Sequence, residues 1–87
     1  QAYWFNNIAW YLARCKEDVN TAAKYSHQSL QIEPDTSIYL DTLAECYYAG
    51  GNAGRALYYI RLAKKYCRED RMMVYLDTQV KRFSEKK

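Results

Sequence analysis

Apolar residues recur along this chain at helical spacing, and no segment alternates as a β-strand would. Phe5, Ile8, Ala9 and Leu12 fall at i, i+3, i+4 and i+7, one stripe of an α-helix. Leu40, Leu43, Ala44 and Tyr47 set out the same stripe, and Ala56, Ile60 and Ala63 a third at i, i+4 and i+7. Ala22, Ser26, Ser29 and Leu30 form a more polar stripe, and Met73, Leu76, Val80 and Phe83 a last one. These patterns predict five helices. The first runs from Ala2 to Cys15, the second ends at Ile32, the third at Ala49, the fourth at Cys67, and the fifth reaches Lys86. Small Ala44 between large Leu40 and Tyr47, with Ala56 and Ala63 on the next helix, lets two backbones approach closely. The glycine-rich break from Gly50 to Gly54 then folds those two helices into an antiparallel hairpin. Helix starts are expected at residues whose side chains accept from free backbone N–H groups: Asn20 or Thr21, Thr36 or Ser37, Asn52, and Asp70. Pro34 stops the second helix, because it forces the preceding residue out of the helical region.

The stripes repeat at a fixed period. Phe5, Ile8, Ala9 and Leu12 match Leu40, Leu43, Ala44 and Tyr47 at an offset of 35 residues, and Tyr39-Leu40-Asp41-Thr42 recurs verbatim as Tyr75-Leu76-Asp77-Thr78 at an offset of 36. The pattern resembles the tetratricopeptide repeat (TPR), whose unit is about 34 residues long. The unit from Leu40 to Ala63 carries most of the likeness, with Leu40 at the family's usual Trp, Ala44 at its usual Gly, and Gly51 as its turn glycine. Pro34 resembles the proline that closes a unit. The resemblance implies an all-α, right-handed α-solenoid: two helical hairpins and a C-terminal capping helix. It forms a single domain, with repeat one at 1–34, repeat two at 35–69 and the cap at 70–87. The cap's outer face would carry Lys81, Arg82 and Lys86.

Composition narrows the class. Of 87 residues, 49% are hydrophobic and 26% charged, which suits a small globular domain. No apolar run approaches the roughly 18–20 residues of a membrane helix. Gln1 opens a helical pattern directly, with no leader and no initiator Met, so the chain reads as the C-terminal part of something longer. Cys15, Cys46 and Cys67 are too far apart for a disulfide framework and are expected to be small core residues. Unpaired thiols favour a reducing compartment, hence the cytoplasm. Most of the ten tyrosines are expected to be core wedges.

Enzyme chemistry finds no foothold. His27 stands alone in the second helix, the glycines belong to a helical turn, and no set of residues has metal-ligand or cofactor spacing. The resemblance instead implies a binding module, a scaffold or adaptor for a peptide or helix. Its groove is lined by the first helix of each unit, off the core stripe: Tyr3, Asn6, Trp10 and Arg14, then Asp41, Glu45 and Tyr48, then Asp77 and Lys81. The family's clamp for acidic chaperone tails is absent, since Asn6 and Trp10 hold its first pair and Val74 and Thr78 stand where Lys and Arg belong. Charge is uneven: three bases and six acids before Arg55, ten bases and four acids from Arg55 onward. Arg61, Lys64, Lys65 and Arg68 form a basic patch that could follow an anionic polymer such as nucleic acid. That is an alternative reading, as is a purely structural spacer beside an enzyme domain. Tyr3, Trp4, Trp10 and Tyr11 crowd the first helix with more aromatic surface than one stripe hides. In a longer chain a preceding repeat is expected to cover that face; in isolation the chain is expected to hide it by self-association through the first helix.

Overall fold

The computed structural model describes residues 1–15 and 18–85 and is all-helical over that range. Five helices follow in order: α1 (Ala2–Cys15), α2 (Val19–Ile32), α3 (Ser37–Ala49), α4 (Ala53–Tyr66) and α5 (Asp70–Ser84). Their bounds agree with the hydrophobic periodicity to within one or two residues. Lys86 and the side chains of Arg14 and Cys15 lie outside the described set.

Neighbours in sequence are neighbours in space. α1 packs on α2, α3 on α4 and α4 on α5, while α3 also meets both α1 and α2. The α1–α2 pair is antiparallel. Near one end the Ser29 hydroxyl donates to the Ala2 carbonyl at 2.8 Å, and toward the other Ala22 clusters with Ala9 and Ala13. The α3–α4 pair has the same sense: the Ser37 hydroxyl donates to the Ala63 carbonyl at 2.9 Å, and Ala56 packs with Ala44. In both hairpins a serine on one helix bonds a backbone carbonyl of the other, which requires the backbones to lie close. Alanines on the facing stripes permit that approach.

The larger core gathers Leu40, Ala44, Ala56, Ile60, Ala63, Leu76 and Phe83. A smaller cluster of Ala9, Ala13, Ala22 and Cys46 sits where α1 and α2 meet α3. Burial of the Cys46 thiol pushes its pKa up to about 12, so it behaves as a small apolar residue rather than a nucleophile. Ala56 is completely buried. Ala56→Leu is therefore expected to cost about 1–3 kcal/mol by overpacking. A thermal melt with an unchanged midpoint would show that the helix crossing is not at this residue.

Some local expectations change. The cap of α2 is Asp18, two residues before Asn20 and three before Thr21, because Asp18 adopts a left-handed conformation (φ 43°) and its side chain accepts from the Thr21 N–H. Thr36 flanks α3 but turns its hydroxyl to the Glu33 carbonyl instead of capping. Asp70 is the first residue of α5, not its cap. Asn52 does cap α4, accepting from the Arg55 N–H at 3.1 Å. Gly51 before it sits at φ 86°, where a side chain would strain the backbone. On α1 the large residues Phe5, Ile8 and Leu12 are only half-buried, while Ala2, Asn6, Ala9 and Ala13 are buried. The stripe is rotated toward its small residues because α3 must come close there.

Candidate functional site

The polar heart of the molecule lies between α3 and α5. Tyr75, Gln79 and Arg82 occur at i, i+4 and i+7 on α5, so they form one helical row beside the core row of Leu76, Val80 and Phe83. The core row packs on α4 and α3, and that places the polar row against Asp41 and Glu45 of α3. The Gln79 amide donates to the Asp41 carboxylate at 3.0 Å and to the Glu45 carboxylate at 2.9 Å. Arg82 donates from Nε to the Gln79 carbonyl oxygen at 3.2 Å and forms an ion pair with Glu45. Its guanidinium also lies over the rings of Tyr48 and Phe83, about 5 Å from each centroid, a cation–π geometry.

The charges in this network do not balance. Two carboxylates face one guanidinium, and the guanidinium sits on Glu45. Asp41 is only 5% exposed. Burial pushes its carboxyl up to about 6; Glu45 pushes the same way, while the Gln79 and Tyr75 hydrogen bonds and Arg82 oppose the shift. The Tyr75 phenol is held up at about 12, again mainly by burial, with Asp41 and Glu45 adding to it. A buried acid hydrogen-bonded to an amide, with no cation of its own, is costly near neutral pH.

Next to this network opens a groove of about 770 Å³. Ala13 of α1 borders one side, Glu45, Tyr48 and Ala49 of α3 form its floor, and Tyr75, Gln79, Arg82 and the nearby Glu85 close the other side. The groove thus combines two tyrosine rings with carboxylates, an amide and a guanidinium.

The residues expected to line a groove fare differently. Glu45 and Tyr48 do line it. Tyr48 is half-buried against Phe83, ring centroids 4.7 Å apart, not fully open as expected. Asp41 lies beneath, buried, where an exposed helix position was expected. Asn6 is also buried, and its Oδ1 has no hydrogen-bond partner. Tyr3, Trp10, Asp77 and Lys81 are exposed. Asp77 turns to α4 and pairs with Lys64 at 2.6 Å instead of pairing with Lys81 one turn along its own helix. Arg82 is exposed, as expected, but its guanidinium turns to Glu45 and Gln79 instead of standing free in solvent. Tyr75, Gln79 and Arg82 escaped the sequence reading because the groove row of α5 was placed on the flank of the core row that carries Asp77 and Lys81, whereas α3 meets the opposite flank. Their own i, i+4, i+7 spacing was the available signal.

The basic patch is partly neutralised. Lys64 is engaged with Asp77, and the Lys65 ammonium lies 5.7 Å from the Tyr66 ring centre. Arg61, Lys65 and Arg68 are exposed. His27 lies edge-on to Tyr47 and Tyr59, with Nε2 3.2 Å from the Tyr47 hydroxyl. Burial, then the nearby Arg55, lowers its pKa from the ordinary value. Among the described residues no helix is long and apolar enough to cross a membrane.

Neither a protein-family profile, nor a curated protein, nor a solved structure matches the chain.

Proposed function

We propose that this domain is a protein-interaction module, built as a TPR-like helical solenoid, that holds a peptide or helix of a partner protein in the groove between α1, α3 and α5. The observation that carries the reading is the groove itself. Its two tyrosines supply flat apolar contact, and Glu45, Gln79, Arg82 and Glu85 supply hydrogen-bonding groups of both kinds. Recognition sites on proteins combine apolar walls with a few placed polar groups in this way. The unbalanced Asp41 supports the reading from another direction, because proteins keep locally destabilising groups mainly where function needs them. The site binds a segment by shape and hydrogen bonding, with no chemistry performed on it.

The test is selection of short peptides against the immobilised domain, followed by amide chemical-shift mapping of a selected peptide. Shifts are expected at Glu45, Tyr48, Tyr75, Gln79 and Arg82. Glu45→Arg is expected to weaken binding about tenfold or more, since it leaves Arg82 facing a like charge. The parallel arm uses a single-stranded oligonucleotide. Salt-sensitive binding that maps to Arg61, Lys65 and Arg68, with no peptide selected, would replace the groove reading with the anionic-polymer one.

A further inference from the structure

We propose that two copies of this chain pair through the outer face of α1, with Trp4, Ile8 and Tyr11 of one protomer against the same residues of its partner. The internal repeat identifies that face as an interface. At the 35-residue offset, Trp4, Ile8 and Tyr11 correspond to Tyr39, Leu43 and Cys46 of α3. Those α3 residues are sealed: Tyr39 is 7% exposed, and Leu43 and Cys46 are fully buried. The preceding hairpin seals them. The Ser26 hydroxyl of α2 reaches the Tyr39 carbonyl at 3.5 Å, and Cys46 packs with Ala9, Ala13 and Ala22. The same register positions on α1 have no such cover. Trp4 is 56% exposed and Tyr11 63%.

The exposed surface is already ordered. Trp4 meets Phe5 edge-on with centroids 5.2 Å apart and Tyr25 edge-on at 6.4 Å, while Phe5 stacks on Tyr25 at 5.8 Å. Aromatic side chains held in place by one another lose little further freedom on binding, and such residues dominate interface energetics.

The distribution of charge selects a second copy as the occupant. Among the described side chains of α1 and α2 the one permanently charged group is Lys24, so two faces built of Trp4, Ile8 and Tyr11 meet without burying an ion of their own. The opposite end of the molecule presents Asp70, Asp77 and Lys81 of α5, all exposed. Stacking α1 of one copy onto α5 of the next would bury those charges against aromatic rings, at high desolvation cost. The pairing is therefore isologous and closes as a dimer rather than growing into a filament.

Sedimentation equilibrium from micromolar to millimolar protein is expected to show a monomer–dimer equilibrium. Trp4→Glu is expected to weaken it by about thirtyfold or more, the effect of losing one central interface side chain, while the helical circular dichroism is retained. Lys81→Glu is expected to leave it unchanged. Should Trp4→Glu unfold the chain, the wild-type protein still decides the matter. Isotope-filtered contacts between labelled and unlabelled copies are expected at Trp4, Ile8 and Tyr11. A strictly monomeric protein at the highest concentration, intermolecular contacts running from α1 to α5, or a dimer untouched by Trp4→Glu would each overturn the proposal.

Discussion

Phe83→Ala is expected to be among the most damaging single substitutions in the chain, costing about 3–5 kcal/mol. Phe83 is 2% exposed and belongs to the larger core cluster with Ile60 and Leu76. Its ring packs on Tyr48, and the Arg82 guanidinium lies over it. Removing the ring opens a cavity under the end of α5 and takes away the surface that orients Arg82. Small domains are stable by only about 0.05–0.15 kcal/mol per residue, so the loss takes a large share of the total. α5 is held mainly by α4 and by the polar row on α3, and it is therefore the first element expected to open. Urea unfolding monitored by circular dichroism gives the global loss, and amide exchange within α5 gives the local one. Peptide binding should fall as well, because Tyr75, Gln79 and Arg82 all come from α5. An unchanged unfolding midpoint with α5 amides still protected would show that Phe83 does not anchor the helix.

The second large effect has the opposite sign. Asp41→Asn is expected to stabilise the domain near neutral pH by about 2–3 kcal/mol. The carboxyl sits at about 6 in the folded chain against 3.8 unperturbed, and each pKa unit corresponds to about 1.4 kcal/mol. Asparagine keeps the shape and the acceptor that Gln79 bonds, and it removes the uncompensated charge. The folded state holds the Asp41 proton more tightly than the unfolded chain does, so its contribution to stability is complete below about pH 4. It is lost as pH rises through about 6. The advantage of the variant should therefore vanish in acid, grow between about pH 4 and 6, and level off above that. Melting temperatures of both proteins across this range measure the difference directly. A variant no more stable than the parent at pH 7, or an advantage independent of pH, would mean that Asp41 is adequately compensated as it stands.

Sequence patterning determined the helices and most of the core. Alanines at helical spacing between larger residues said which stripes must face one another, and Ala44, Ala56, Ile60 and Ala63 are all buried where that spacing puts them. Asn52 and the glycines around it determined the turn between α3 and α4. These features are local, or recur at a fixed period, and periodicity reports them directly. Which polar residues meet across helices was a different matter. Asp41 looked like an exposed helix position one turn from Glu45, and only the approach of α5 buries it beneath Gln79. Asp77 had an opposite charge one turn away in Lys81 and instead took Lys64 of another helix. Helical spacing fixes which residues share a face, but the Tyr75 row and the Asp77 row flank the core row of α5 on opposite sides, and the rotation of α5 about its axis decides which flank meets α3. Packing of Leu76 and Phe83 against α4 and α3 sets that rotation, and only the assembled tertiary structure contains it.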